Sequence, residues 1–213
     1  MITLGSHQKY AGESQTHITP REIIEALGPF DLDPAAADPR PWDCAAASFT
    51  EADNGLTQPW FGRVWLNPPF DQRVVPSFVR RLVRHGRGTC LLHARTETAW
   101  FAPIWESATA ILFLAHRLHF HQPDGTRWPA NSGAPVVLIA FGDDDAERLR
   151  ISGIPGAFVP RKWTWRPAKA KGRQADLFDG GYDAAADFAK SLDEGYRVIR
   201  ERIAVGGKGW TPR

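Results

Sequence analysis

Residues 64–70, which read Val-Trp-Leu-Asn-Pro-Pro-Phe, constrain the fold of this chain more than any other stretch. Their first three residues are apolar and are typical of a buried β-strand. The two prolines that follow Asn67 cannot donate to a strand ladder, so the chain must leave the sheet at this asparagine. An amide, a stiff backbone and an aromatic ring are therefore expected together at the carboxyl end of a strand. In open α/β sheets this edge is where ligands bind.

The groups on this segment can activate the exocyclic amine of a nucleobase, which is a poor nucleophile because its lone pair is delocalised into the ring. Two acceptors held against its N–H protons draw the nitrogen toward tetrahedral geometry. The side-chain oxygen of Asn67 and the carbonyl of Pro68 form such a pair, and preorganised dipoles are usually the largest catalytic term. Phe70 would stack on a base flipped out of the helix, which contributes roughly 1–3 kcal/mol. The alternative is an ordinary rigid loop. We predict four catalytic residues: Asn67, Pro68, Pro69 and Phe70.

Composition indicates an ordinary globular protein of 213 residues, with 43% hydrophobic and 23% charged residues. The formal net charge of +2 allows a nucleic-acid partner without demanding one, so basic surface must come from local clusters. Cys44 and Cys90 are far apart and lack the spacing of a zinc site or a disulfide framework. Signal-peptide and membrane-spanning patterns are not visible. We therefore expect a cytoplasmic protein that binds neither membrane nor metal.

Four short motifs, in this order along the chain, resemble the phage-type DNA N6-adenine methyltransferase (Dam) family. The motifs are Thr19-Pro20, Asp31-Leu32-Asp33-Pro34-Ala35, Asp53-Asn54-Gly55-Leu56 and Trp65-Leu66-Asn67-Pro68-Pro69-Phe70. The last one matches the [DNS]PP[YFW] signature of amino-methyltransferases that use S-adenosylmethionine. The resemblance covers about residues 10–142. It implies S-adenosylmethionine as cofactor, double-stranded DNA as partner, adenine N6 as target, and a phage or prophage origin in a bacterial host.

The fold implied by this resemblance is an α/β, three-layer Rossmann-like methyltransferase sandwich. Its sheet is expected to be mostly parallel with an antiparallel hairpin at one edge, and the alternation of predicted strands and helices agrees. We expect a flexible arm over residues 1–16, a catalytic domain over 17–160, and a basic, aromatic linker with a C-terminal helix over 161–213. Residues 117–121 and 135–141 are predicted as two strands around an extended turn.

The resemblance also implies a set of cofactor contacts. Alanines replace the glycines of the usual first methyltransferase motif, and any position that needs a positive φ would then be strained. Structural alternatives remain for each motif: a capped helix at Thr19-Pro20-Arg21-Glu22, a turn-capping aspartate at 33, and a tight turn at 53–55. The ribose-binding acid is not located, with Asp43 and Glu51 as candidates. The predicted cofactor residues are Thr19, Pro20, Asp33, Pro34, Ala35 and Asp53.

Clusters of basic residues suggest where DNA would be contacted. One lies on a helix after the Asn-Pro-Pro-Phe motif, one in the loop 124–133, and one in the basic stretch that begins at residue 161. Arginines beside aromatic residues suit phosphates and unstacked bases, while a solvated face or a linker is the alternative. The predicted contacts are Arg73, Arg80, Arg84, Arg127, Trp128, Arg161 and Lys162.

Two other functions compete with adenine methylation. An amino-methyltransferase of this signature can instead act on cytosine N4, RNA or a protein glutamine. A non-catalytic DNA-binding relative is the second rival, suggested by the missing glycines. The oligomeric state and the DNA recognition sequence cannot be read from the pattern.

Overall fold

A computed structural model describes residues 16–161, which form a seven-stranded mixed sheet with four α-helices. The strands are β1 (Leu32–Asp33), β2 (Ala47–Ser48), β3 (Val64–Leu66), β4 (Gly88–His93), β5 (Ala110–Leu114), β6 (Val136–Phe141) and β7 (Gly156–Pro160). The helices are α1 (Arg21–Leu27), α2 (Val75–His85), α3 (Ala102–Ser107) and α4 (Asp143–Ile151), and a short 3-10 helix (Ala99–Phe101) precedes α3. Most of the predicted arm and all of the predicted C-terminal helix lie outside these residues.

The sheet has a parallel half and an antiparallel half, in the order β2-β1-β3-β4-β6-β5-β7. Strand β1 pairs in parallel with β2 and β3, and β3 pairs in parallel with β4. The remaining pairs, β4 with β6, β5 with β6 and β5 with β7, are antiparallel. The α/β class is therefore confirmed, but the expectation of a single antiparallel hairpin at the edge is wrong. The long connection after β5 returns the chain so that β6 lies between β4 and β5. The antiparallel half therefore contains three strands, β6, β5 and β7.

Helices cover both faces of this sheet, since two separate apolar clusters lie on its opposite sides. One cluster joins alternate strand residues such as Leu66 and Leu92 to the buried faces of α2 and α3. The other joins the intervening residues, such as Trp65 and Leu91, to α1 and α4. The alternation follows from the period-2 geometry of strands, and it gives each residue of β3 a buried neighbour on one face or the other.

The predicted strand over residues 117–121 is wrong, and two real strands were not predicted. His121 forms only isolated bridges, to Ile18 and Arg127, outside the sheet. Strand β2 has only two residues, and β7 is an edge strand with mostly exposed residues, so neither shows a clear alternation of apolar side chains.

A buried ion pair fixes the beginning of β3. The guanidinium of Arg63 donates to Asp145 of α4 at 2.9 and 2.8 Å, and the two side chains are 5% and 0% exposed. The same guanidinium donates to the carbonyls of Leu27 and Pro29 at the end of α1. Because a buried charge needs such partners, Arg63 connects α1, β3 and α4. The strand that leads to Asn67 is thus anchored by the residue directly before it.

Close packing of backbone on backbone brings two of the sequence motifs together. Gly55 is buried, and a Cβ atom at this position would overlap the carbonyl oxygen of Pro34. Only glycine allows this approach. The turn that follows Asp53 therefore lies against the loop that follows β1.

We predict that Gly55→Ala destabilises the protein by about 3 kcal/mol or more, because a rigid backbone atom occupies the space that the methyl group needs. Urea denaturation measures the change. Gly133→Ala is the matched control, because no atom lies within 4 Å of its Cβ position and only its φ of +67° opposes alanine. The control should cost about 1 kcal/mol. Equal losses in the two variants would contradict the packing described here.

Candidate active site

The side chain of Asn67, directly after β3, is held in one orientation by two acceptors. Its Nδ2 donates to the carbonyl of His17 at 2.8 Å and to the hydroxyl of Thr19 at 3.1 Å. A carbonyl can only accept, so the amide nitrogen must face His17 and the oxygen must face the other way. The Oδ1 atom is buried and has no hydrogen-bond partner among residues 16–161. A desolvated acceptor of this kind binds an N–H donor strongly.

The rest of the motif continues this rigid tip. Pro68 is buried and Pro69 is exposed, while Phe70 is partly buried. The ring of Phe70 stacks on His93, with centroids 4.1 Å apart and planes 17° apart. His17 and Phe120 meet the same ring at steeper angles, each with a centroid distance of 5.5 Å. One face of the Phe70 ring, which is predicted to stack on a base, is therefore already covered by His93.

The amide oxygen of Asn67 is covered in this conformation. Two surface cavities lie elsewhere: one is lined by Ile24 and Cys44, and the other by Thr109 and Arg161. Neither is lined by Asn67. A base can reach the oxygen only after side chains around it move.

His93, which the sequence analysis did not single out, lies at the end of β4 beside this tip. Its Nε2 is buried and lacks a partner in the described part of the chain. Burial above all, together with the charges of Arg95, His17 and Arg117, lowers the pKa of His93 to about 4, against a hydrogen bond with the backbone of Ser132 that raises it. The imidazole is therefore neutral at physiological pH. The one signal for it in the sequence is its place at the end of the strand that follows the motif.

Thr19 and Pro20 are both buried, and the structure brings Thr19 into direct contact with Asn67. The capping box predicted there is wrong. Helix α1 begins at Arg21 with Pro20 as its N-cap residue and with no side-chain cap. The hydroxyl of Thr19 accepts from the amide of Asn67 instead.

The loop after β1 is tightly organised around a buried aspartate. Asp33 is 5% exposed, and its Oδ1 accepts from the backbone N–H of Ala35 at 3.0 Å. Burial raises the pKa of Asp33 to about 7, while this hydrogen bond and the charge of Arg40 act in the opposite direction. No residue of 34–37 has a positive φ, so the alanines that replace glycines here are unstrained.

Asp53 is exposed and organises its own turn. Its Oδ2 accepts from the backbone N–H and the hydroxyl of Thr50, both at 2.8 Å, and these bonds lower its pKa. Asn54 has a φ of +53°, as tight turns of this composition require. The turn interpretation of this motif thus holds, and a cofactor role for Asp53 stays a prediction. The two candidates for the ribose acid, Asp43 and Glu51, are both exposed.

The predicted DNA contacts on α2 and just before it do not lie together. Because β3 and β4 are parallel, the connecting helix α2 must run antiparallel to both strands and away from Asn67. Arg73 therefore lies near Asn67, and Arg84 lies at the opposite end of the helix. The separation along the axis from Val75 to Arg84 is about 14 Å. Arg80 lies between them and is partly buried. Arg73 pairs with Asp71 at 2.6 Å.

The other predicted DNA contacts have varied surroundings. Arg127 is exposed, whereas Trp128 is partly buried and its indole N–H donates to the carbonyl of Thr16 at 3.3 Å. Arg161 is exposed and donates to the carbonyl of Glu106 at 2.9 Å. Lys162 lies outside the described residues.

Residues 16–161 contain no group of three or more His, Cys, Asp and Glu side chains placed to hold a metal ion. Within the same range, no helix has the length and apolar character needed to cross a membrane.

Comparison with known proteins identifies the family. Neither the curated proteins nor the solved structures gave a match. The family profile described as DNA N-6-adenine-methyltransferase (Dam) matches residues 8–154, which is well over half of the chain and includes every element from α1 to α4. This chain therefore belongs to the DNA N-6-adenine-methyltransferase family and is an enzyme of DNA methylation.

Proposed function

We propose that this enzyme transfers a methyl group from S-adenosylmethionine to N6 of an adenine flipped out of duplex DNA, and that Asn67 holds the reacting amine. The observation that carries the proposal is the amide of Asn67, whose nitrogen is fixed by two acceptors and whose oxygen is buried and receives no hydrogen bond from residues 16–161. An adenine amine brings the N–H donor that this oxygen lacks. Family membership supports adenine in DNA over the cytosine, RNA, glutamine and non-catalytic alternatives.

The side chain of Asn67 would accept one N–H of the amine, and the carbonyl of Pro68 would accept the other. Holding both protons draws the lone pair out of conjugation and directs it at the methyl carbon. S-adenosylmethionine, when bound, supplies this carbon as an electrophile on a sulfonium. After methyl transfer, the amine nitrogen would release one of the two protons that Asn67 and Pro68 hold. No strong base is needed before that point, so positioning by Asn67 and Pro68 supplies most of the rate.

The loops after β1 and β3 fit the cofactor that the family implies. Leu32 pairs with Val64 in parallel, so Asp33 and Asn67 leave the sheet at the same edge. The carboxyl of Asp33 is buried, and a raised pKa is expected of a carboxyl that lacks a strong cationic partner. A cationic ligand suits such a group. Gly55, in the turn that follows Asp53, lies against Pro34, which supports a cofactor site formed by Asp33, Pro34 and Asp53.

Phe70 would stack on the flipped base once the rings of His93, His17 and Phe120 around it give it room. The base can enter only if side chains around Asn67 move, because the amide oxygen is covered in the free protein. The methyltransferase sandwich that we propose as the fold places this tip at the carboxyl ends of parallel strands, where ligands reach α/β sheets.

We predict that Asn67→Ala lowers the rate of methyl transfer to adenine roughly 10²–10³-fold, by analogy with removal of one preorganised hydrogen-bonding group. Single-turnover transfer of radiolabelled methyl to DNA measures the effect. Binding of S-adenosylmethionine, followed by calorimetry, should be unchanged in this variant. A variant with the wild-type rate would remove Asn67 from the mechanism.

We also predict that Asp33 makes the free protein less stable as the pH rises. Its pKa is 3.8 in the unfolded chain and about 7 in the folded one, so folding favours the neutral carboxyl. The stabilisation is fully present below pH 3.8 and is lost as the pH rises to about 7. Asp33→Asn lacks this loss, so its stability relative to wild type should increase by about 1.4 kcal/mol per pH unit over the window.

Urea denaturation of both proteins between pH 5 and pH 8 tests this prediction. Taking the difference between the two proteins removes the contribution of every other titrating group. Parallel pH profiles would show that Asp33 does not titrate in this range. Calorimetry then tests its proposed role, since a cation beside Asp33 should make wild-type binding of S-adenosylmethionine tighter as the pH rises to 7, and Asp33→Asn should lose this dependence.

A further inference from the structure

We propose that Thr19 is a positioning residue for the catalytic amide, and that residues 16–19 form a brace that points the Asn67 oxygen at the substrate. The inference rests on the proposed role of Asn67 and deepens it. It assigns the hydroxyl of Thr19 to the orientation of Asn67 and the indole of Trp128 to the support of the brace.

The two bonds to Asn67 leave its amide one stable orientation. An amide nitrogen has two protons, and the carbonyl of His17 and the hydroxyl of Thr19 take one each. Rotation of the amide by 180° would place Oδ1 against the carbonyl of His17, which cannot donate. The rotated form would therefore lose a buried hydrogen bond and bring two acceptors together. With both acceptors present, the oxygen points away from the brace before any substrate arrives.

The brace is itself held by a segment distant in sequence. Ile18 and His121 exchange both backbone hydrogen bonds, at 3.0 and 2.8 Å. Ile18 is 5% exposed, and Thr19 is 1% exposed. These two backbone hydrogen bonds fix the position and the orientation of the segment, so the acceptors on either side of Ile18 stay in place.

Two indole N–H groups hold the ends of the brace. Trp128 donates to the carbonyl of Thr16 at 3.3 Å, and Trp42 donates to the carbonyl of Thr19 at 3.1 Å. Trp128 also donates its backbone N–H to the carbonyl of Phe120 at 2.9 Å, which keeps the supporting loop closed. The indole of Trp128 is thus engaged within the protein, and the geometry gives it a structural task distinct from contact with DNA.

Thr19→Val tests the role of the hydroxyl, because valine has nearly the same shape as threonine but cannot accept a hydrogen bond. Thr19→Ser, which keeps the hydroxyl, is the matched control. With saturating S-adenosylmethionine, valine should lower kcat for methyl transfer about 10–100-fold, the effect of one buried donor left unpaired. Serine should keep kcat near wild type. Because its hydroxyl already accepts from Asn67, Thr19 is assigned to positioning in place of the cofactor contact expected from its motif, so the dissociation constant for S-adenosylmethionine should be unchanged in both variants.

A double-mutant cycle with Asn67→Ala separates positioning from a general structural effect. If Thr19 acts through the amide, Thr19→Val should lower the residual activity of the Asn67→Ala protein no further. Multiplicative losses would overturn the inference, and so would a valine variant that weakens S-adenosylmethionine binding while kcat at saturation stays at the wild-type value.

Trp128→Phe provides a second, milder perturbation in case the valine variant unfolds. It keeps the ring and removes only the N–H, so kcat should fall severalfold in the wild-type background and not at all in the Asn67→Ala background. A fall in both backgrounds would overturn the brace. The cycle also separates the two proposals: full activity in Asn67→Ala alone would reject the proposed function, whereas a strongly impaired Asn67→Ala whose residual activity falls further with Thr19→Val rejects only the brace.

Discussion

The hydrogen bonds from the Asn67 amide to His17 and Thr19 are the interaction on which the functional account depends. They decide which of two nearly isosteric atoms, nitrogen or oxygen, faces residues 16–19 and which faces away from them. With the nitrogen satisfied, the buried oxygen remains as an acceptor in a low-dielectric setting, where a hydrogen bond is strong. The free-energy cost of orienting the Asn67 amide is therefore met during folding and not during the reaction, which is what preorganisation means.

The fold makes this orientation possible by fixing β3 at both ends. At its beginning, Arg63 satisfies its charge with Asp145 and with carbonyls at the end of α1. At its end, the two prolines restrict the backbone and the brace holds the side chain. Loops from neighbouring strands pack alongside, with Gly55 against Pro34. The resulting edge gathers a carboxyl group that suits a cation, an amide that suits an amine, and an aromatic ring.

The resemblance to the methyltransferase family implied the α/β class, and the alternation of predicted strands and helices agreed with it. Local patterns predicted the strand that leads to Asn67, because periodicity and proline chemistry act over short distances. Such local patterns cannot predict contacts between residues that are distant in sequence. Thr19 resembles a helix cap in sequence, yet its hydroxyl bonds to Asn67, 48 residues away. His93 has no local signal beyond its place at a strand end. The short strands β2 and β7 were missed because neither buries an alternating apolar face.

The central claim is tested most directly by identifying the base that receives the methyl group. Duplex DNA would be incubated with the enzyme and S-adenosylmethionine carrying a deuterated methyl group, then digested to nucleosides for mass spectrometry. Our account predicts that the label is found on N6 of adenine. Label on N4 of cytosine, or DNA without label while the enzyme binds the cofactor, would contradict it.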